Sequence, residues 1–77
     1  MNAKRRKALE KIQSALETLR DQLEELKDEE REAYDNLPEG IQDTEKGYAM
    51  DEAGDSLEEA YDSLDEAITS IQEAIER

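Results

Sequence analysis

A chain of 77 residues with no cysteine and no histidine has room for one small domain, and it lacks disulfides, thiol chemistry and zinc sites built on those residues. Its formal net charge of −13 opposes general binding to nucleic acids or anionic membranes, because contacts to phosphate are made by Lys and Arg. Charged residues make up 43% of the chain and aromatic residues 4%, which would imply disorder if the apolar side chains were scattered; instead they recur at helical spacing.

The charge is unevenly divided. Residues 1–37 hold 8 basic and 10 acidic side chains, net −2, whereas residues 38–77 hold 2 and 13, net −11. There is no run of about 18 apolar residues that would span a bilayer, and Met1 to Ile12 contains no apolar core of a signal peptide. The expectation is a soluble protein of cytoplasmic type that makes no membrane contact and no direct contact with nucleic acid.

In the first half, Leu9, Ile12, Leu16, Leu19, Leu23 and Leu26 alternate spacings of three and four, the a and d columns of a heptad, with Ala8 and Ala15 at g. No Pro or Gly precedes Pro38, so one helix is predicted from about Ala3 to Asp35, roughly 50 Å long at the helical rise. Pro38 and Gly40 break it, and Leu37 is pushed from helical geometry by the proline that follows. The connection spans residues 36–43, in which PEGIQ has the composition of one isolated turn.

Asp43 or Thr44 is placed to cap a second helix, from about Thr44 to Glu76, with Glu45 in its favourable first turn. Four unbroken heptads fill it from Met50 to Arg77. Met50, Leu57, Leu64 and Ile71 occupy d; Gly54, Tyr61, Ile68 and Ile75 occupy a; Ala53, Ala60, Ala67 and Ala74 occupy g; and Glu52, Glu59, Glu66 and Glu73 occupy f. The predicted fold class is all-α, an antiparallel two-helix hairpin of coiled-coil type, because so short a connection makes the helices antiparallel neighbours. Pairing residues whose numbers sum to about 80 joins the seams layer by layer, Ile12 by Ile68 and Leu23 by Leu57. The same register brings Lys4, Arg5, Lys7 and Lys11 beside Glu66, Glu73 and Glu76.

An apolar stripe of a, d and g is wider than one partner helix covers, and a second copy of the hairpin would bury the rest as a four-helix bundle. The residues assigned to self-association are Leu9, Ile12, Leu16, Leu19, Leu23, Leu26, Ala53, Leu57, Ala60, Tyr61, Leu64, Ala67, Ile68, Ile71, Ala74 and Ile75. Gly47 and Gly54 fall at a positions, each at a cost of about 1 kcal/mol relative to Ala in a helix interior. Two such glycines imply close packing against Tyr34, Tyr48 or a partner helix, or else a frayed helix start.

The acidic face of the second helix, Asp51, Glu52, Asp55, Glu58, Glu59, Asp62, Asp65 and Glu66, is a candidate partner face. Its plain reading is a solvated surface. Its sharper reading is mimicry of a nucleic acid, since eight acids over roughly 24 Å give about one charge per 3 Å, comparable with the density of one DNA strand. The basic cluster Lys4 to Lys7 resembles a localisation or nucleic-acid signal, but charge runs at helix ends are ordinarily solvated or paired. Catalysis has poor raw material: Ser14, Ser56, Ser63 and Ser70 have no histidine base, and calcium-loop, P-loop and dinucleotide-binding patterns are absent. Neither enzymatic activity nor a cofactor or metal site is expected.

The stretch from Tyr34 to Gly47, YDNLPEGIQDTEKG, followed by the acidic heptads LEEAYDSLDEAI, resembles a family of short acidic helical-hairpin proteins common in bacterial phages and prophages. The resemblance implies a mobile-element origin and no assigned activity, and it transfers no site residue. The functional expectation is a non-enzymatic interaction module that forms a homodimer and binds a protein partner. The alternatives are an anti-defence inhibitor acting as an acidic nucleic-acid mimic, and a purely structural assembly element.

Overall fold

A computed structural model describes all 77 residues as three helices, α1 (Ala3–Asp35), α2 (Glu39–Gln42) and α3 (Glu45–Glu76). The two long helices pack side by side as an all-α hairpin about 58 Å long and 14 by 13 Å across. No helix is long and apolar enough to cross a membrane.

Local chemistry sets the helix limits. Asn2 is the N-cap of α1, its side-chain oxygen accepting from the Arg5 backbone N–H at 2.8 Å. After Asp35 the chain turns at Asn36 and Leu37, and Pro38 then opens the four-residue α2. Thr44 is the N-cap of α3 by position, but its hydroxyl donates back to the Ile41 carbonyl at 2.5 Å instead of accepting from α3. The Gln42 side-chain amide donates to the carbonyls of Tyr34 and Leu37, both at 3.2 Å, so α2 is tied to the C-terminal end of α1. The Tyr34 carbonyl also accepts from the Leu37 backbone N–H at 3.1 Å, whereas the Leu37 carbonyl, beyond the helix end, takes its bond from Gln42.

The pairing register differs from the sum of 80. Gln13 bonds to Gln72, Arg20 to Asp65, and Arg31 lies against Gly54, all sums of 85. The displacement arises at the tip, where α2 folds back onto α3 and occupies the space that a symmetric turn would leave to α1. Gly47 explains how: a Cβ there would overlap the Gln42 carbonyl and lie 2.6 Å from the Gln42 Cα, so only glycine lets the α2 backbone come this close. Gly54 serves a second close approach, since a Cβ there would lie 2.7 Å from Cζ of Arg31. Both glycines are buried and helical, which identifies close packing over a frayed start. The neighbours are the α2 backbone at Gly47 and, at Gly54, Arg31 of the partner helix α1, not Tyr34 or Tyr48.

The seam of α1 is also rotated. Its less exposed residues are Arg6, Leu9, Gln13, Leu16, Arg20, Leu23, Lys27, Glu30, Arg31 and Tyr34, the a and e columns with Arg31 at b beside them. Moving the contact line from a/d to a/e turns the helix by about 50° at 3.6 residues per turn. The d column is left outside, with Ile12 50%, Leu19 53% and Leu26 57% exposed. On α3 the a and d columns do face α1, and Ile68, at 7% exposed, is the one buried hydrophobic side chain of the chain.

Candidate interaction surface

The rotation of α1 follows from what its e column can bond. On α3 the e column is Asp51, Glu58, Asp65 and Gln72, and each of these residues meets a polar side chain from α1. Gln13 donates to Gln72 at 2.7 Å and Arg20 to Asp65 at 2.8 Å; Arg31 donates to Asp51 at 2.9 Å and reaches Glu58 at 3.9 Å. Arg31 also donates to Asp55 at 2.5 Å. Lys27 lies 5.0 Å from the centre of the Tyr61 ring, within range of a cation–π attraction. These contacts form a polar ladder along one flank of the hairpin.

The same bonds hold both arginines firmly in the charged form. The Asp65 hydrogen bond raises the Arg20 pKa above its ordinary value, desolvation opposes this, and Asp21 adds to it. For Arg31 the Asp55 hydrogen bond is the largest cause, again opposed by desolvation and reinforced by Asp51. The pairs are solvent-accessible, so their main effect is to orient the helices rather than to stabilise them strongly.

The candidate acidic face is therefore divided. Asp51, Asp55, Glu58 and Asp65 turn toward the arginines of α1, whereas Glu52, Glu59, Asp62 and Glu66 face solvent without an ion-pair partner in the chain. The predicted pairing of Lys4, Arg5, Lys7 and Lys11 with Glu66, Glu73 and Glu76 does not occur: all seven are exposed, and Lys4 and Lys11 at c, with Lys7, Glu66 and Glu73 at f, lie on columns that face away from the seam. Every ion pair in the chain is made instead by Arg20, Lys27 or Arg31. Nearby, Arg6 enters the seam with its Nε unbonded.

With e facing e on one flank, antiparallel geometry leaves the g columns on the other. Here Ala8, Ile12, Ala15, Leu19 and Leu26 of α1 are exposed, as are Ala53 and Ala60 of α3, while Ala67 and Ala74 are half-buried. Leu9, Leu16, Leu23, Leu57, Tyr61, Leu64, Ile71 and Ile75 are half-buried, and with Ile68 they line the seam between α1 and α3. Of the sixteen residues assigned to self-association, nine thus line the hairpin seam, five are open to solvent, and Ala67 and Ala74 lie half-buried between.

The surface has one open indentation, bordered by Lys7, Glu10, Lys11 and Ser14. None of these four residues is hydrophobic, and no three carboxylates of the chain converge on a point that would hold a metal ion. Sequence reasoning missed Gln13, Arg20, Arg31, Gln42 and Gln72 as structural contacts. Their signal was the seven-residue spacing of Gln13, Arg20 and Lys27 opposite that of Asp51, Glu58, Asp65 and Gln72. Fold and surface together define an acidic helical hairpin with one polar and one apolar flank. No protein-family model, curated protein or solved structure matches the chain.

Proposed function

We propose that the protein is a non-enzymatic protein–protein interaction module, of the phage or mobile-element type that its connection resembles, and that it works as a self-associating hairpin. One observation carries this reading: the hairpin buries a single hydrophobic side chain, Ile68, yet leaves Ile12, Leu19 and Leu26 at least half exposed in one straight column. A row of leucine and isoleucine along one face marks an association surface, and a chain this short gains much of its stability from a partner. A second copy supplies that partner, and the assembled bundle then presents its outer surface to a further protein. Mimicry of a nucleic acid gains no support from the acidic face, because arginines interrupt its row of carboxylates at Asp51, Asp55 and Asp65.

Sedimentation tests the reading. The protein should run as a dimer or larger at about 50 μM, with a thermal midpoint that rises with concentration. A monomer at that concentration, or a midpoint independent of it, would overturn self-association. Partner capture by the tagged protein should survive the triple change E52K/E59K/E66K; loss of capture with the fold intact would favour mimicry.

A further inference from the structure

One column of α1 is complementary to itself. Lys4, Lys11, Thr18, Glu25 and Glu32 recur every seven residues at c, beside the exposed Ile12, Leu19 and Leu26. All five are exposed and none forms an ion pair within the chain. Read from either end, the order is two charges of one sign, a neutral centre and two charges of the other sign. Two such columns laid antiparallel match cation to anion along their whole length. The flanking columns share the same centre, since d runs Ile12, Leu19, Leu26 and g runs Ala8, Ala15, Gln22, Glu29. The helix as a whole has the same polarity: residues 1–18 carry five basic and two acidic side chains, net +3, and residues 19–35 carry three and eight, net −5.

We propose that a second copy of the chain docks on this face, α1 against α1, antiparallel about a twofold axis passing between Thr18 and Leu19. The proposal rests on self-association and specifies its surface and register. Residue numbers across the interface sum to about 37. Lys4 then meets Glu32 of the partner subunit, and Lys11 meets Glu25 of the partner subunit. Leu19 packs on the partner's Leu19, and Ile12 on the partner's Leu26. Between the c and d columns, Ala8 and Ala15 face Glu29 and Gln22 of the partner subunit, so each long g side chain lies over a small one. The surplus cations near the N-terminus of α1, which the hairpin leaves unpaired, find their counter-charges in the second copy. Such matching favours one register and orientation, because a parallel in-register arrangement would oppose like charges and an antiparallel one shifted by a heptad would keep only two of the four ion pairs.

Two double variants test the register, K4E/K11E and E25K/E32K, with far-UV circular dichroism to confirm helicity. Each alone converts four attractions in the dimer into repulsions. At roughly threefold or more per exposed pair, dimerisation should weaken by about 100-fold at low salt. Mixed in equal amounts, the two variants should form a heterodimer, visible by native mass spectrometry, whose preference over either homodimer fades at about 1 M salt. If both variants dimerise like the wild type, or if the mixture shows no preference for the heterodimer, the register is wrong and self-association stands. A monomeric wild type overturns both. Should either variant unfold, L19C in this cysteine-free chain provides the second measurement: mild oxidation should link two copies, whereas E52C on α3 should not cross-link. Failure of L19C to link in a dimeric protein overturns the twofold.

Discussion

Gly47→Ala sets helix propensity against tertiary packing at one atom. In an isolated helix the change gains about 1 kcal/mol. Here the new Cβ would lie 2.6 Å from the Gln42 Cα and overlap the Gln42 carbonyl. Carbon atoms rest at about 3.5 Å or more, so the connection must retreat by roughly 1 Å. The two bonds from the Gln42 amide to the Tyr34 and Leu37 carbonyls, already 3.2 Å long, do not survive that retreat. Each is worth about 1 kcal/mol net, and the lost contact of α2 with α3 adds a comparable amount. After subtracting the propensity gain, Gly47→Ala should cost about 1–2 kcal/mol, a fall of roughly 5–10 °C in thermal midpoint for a domain of this size. The assay is melting followed at 222 nm at fixed protein concentration, with Gly40→Ala as the control. Gly40 has nothing within 4 Å of its would-be Cβ, so its substitution should leave the midpoint unchanged or raise it slightly. A Gly47→Ala midpoint equal to or above that of the wild type would refute the close-packing argument.

Three further outcomes follow from the same contacts. Ile68→Ala empties the one buried hydrophobic position and should cost about 2–4 kcal/mol, read as a lower urea midpoint; a loss below about 1 kcal/mol would mean that the seam repacks freely. Gly54→Leu places a side chain where the Arg31 guanidinium lies; that flexible end swings aside, so the change should break the Asp51 and Asp55 pairs and abolish the salt sensitivity they confer, with little net change in midpoint; an unchanged salt dependence would show that the pairs persist. For the arginines the folded pKa is raised, so their stabilising contribution is complete below the unfolded arginine value and is lost only as pH climbs through the folded one. The melting midpoint should therefore shift by less than about 2 °C between pH 7 and pH 9, and a steep decline there would show that another group titrates with folding.

The two long helices and the turn at Glu39 to Gln42 were legible because their signals are local: unbroken helix formers up to Asp35, then Pro38, then a capping position at Thr44. The rotation of α1 was not, because hydrophobic spacing alone favours the leucine-rich a/d seam. What overrode it is a set of long-range polar contacts, from Gln13, Arg20 and Arg31 to Gln72, Asp65 and Asp51. A heptad label identifies faces of a single helix, whereas the choice between a/d and a/e depends on the charges of its neighbour. The register was missed for a related reason, since the backbone of α2 stacks on Gly47, an approach that no periodicity encodes. Gly47 and Gly54 were nonetheless visible as breaks in the pattern, and both mark positions where another group needs the space.

The balance of contacts that hold the hairpin changes along its length, with the ion pairs of Arg31 at one end and the isoleucines of α3 at the other. Toward the tip, the Arg31 cluster and the Gln42 clamp dominate. Toward the open end, Ile68, Ile71 and Ile75 lie along the seam with Leu9 and Leu16. Charge pairs weaken as salt rises, whereas apolar contacts weaken on cooling. One rod is thus fastened by two materials, so that ionic strength loosens it from the turn and cold loosens it from the termini.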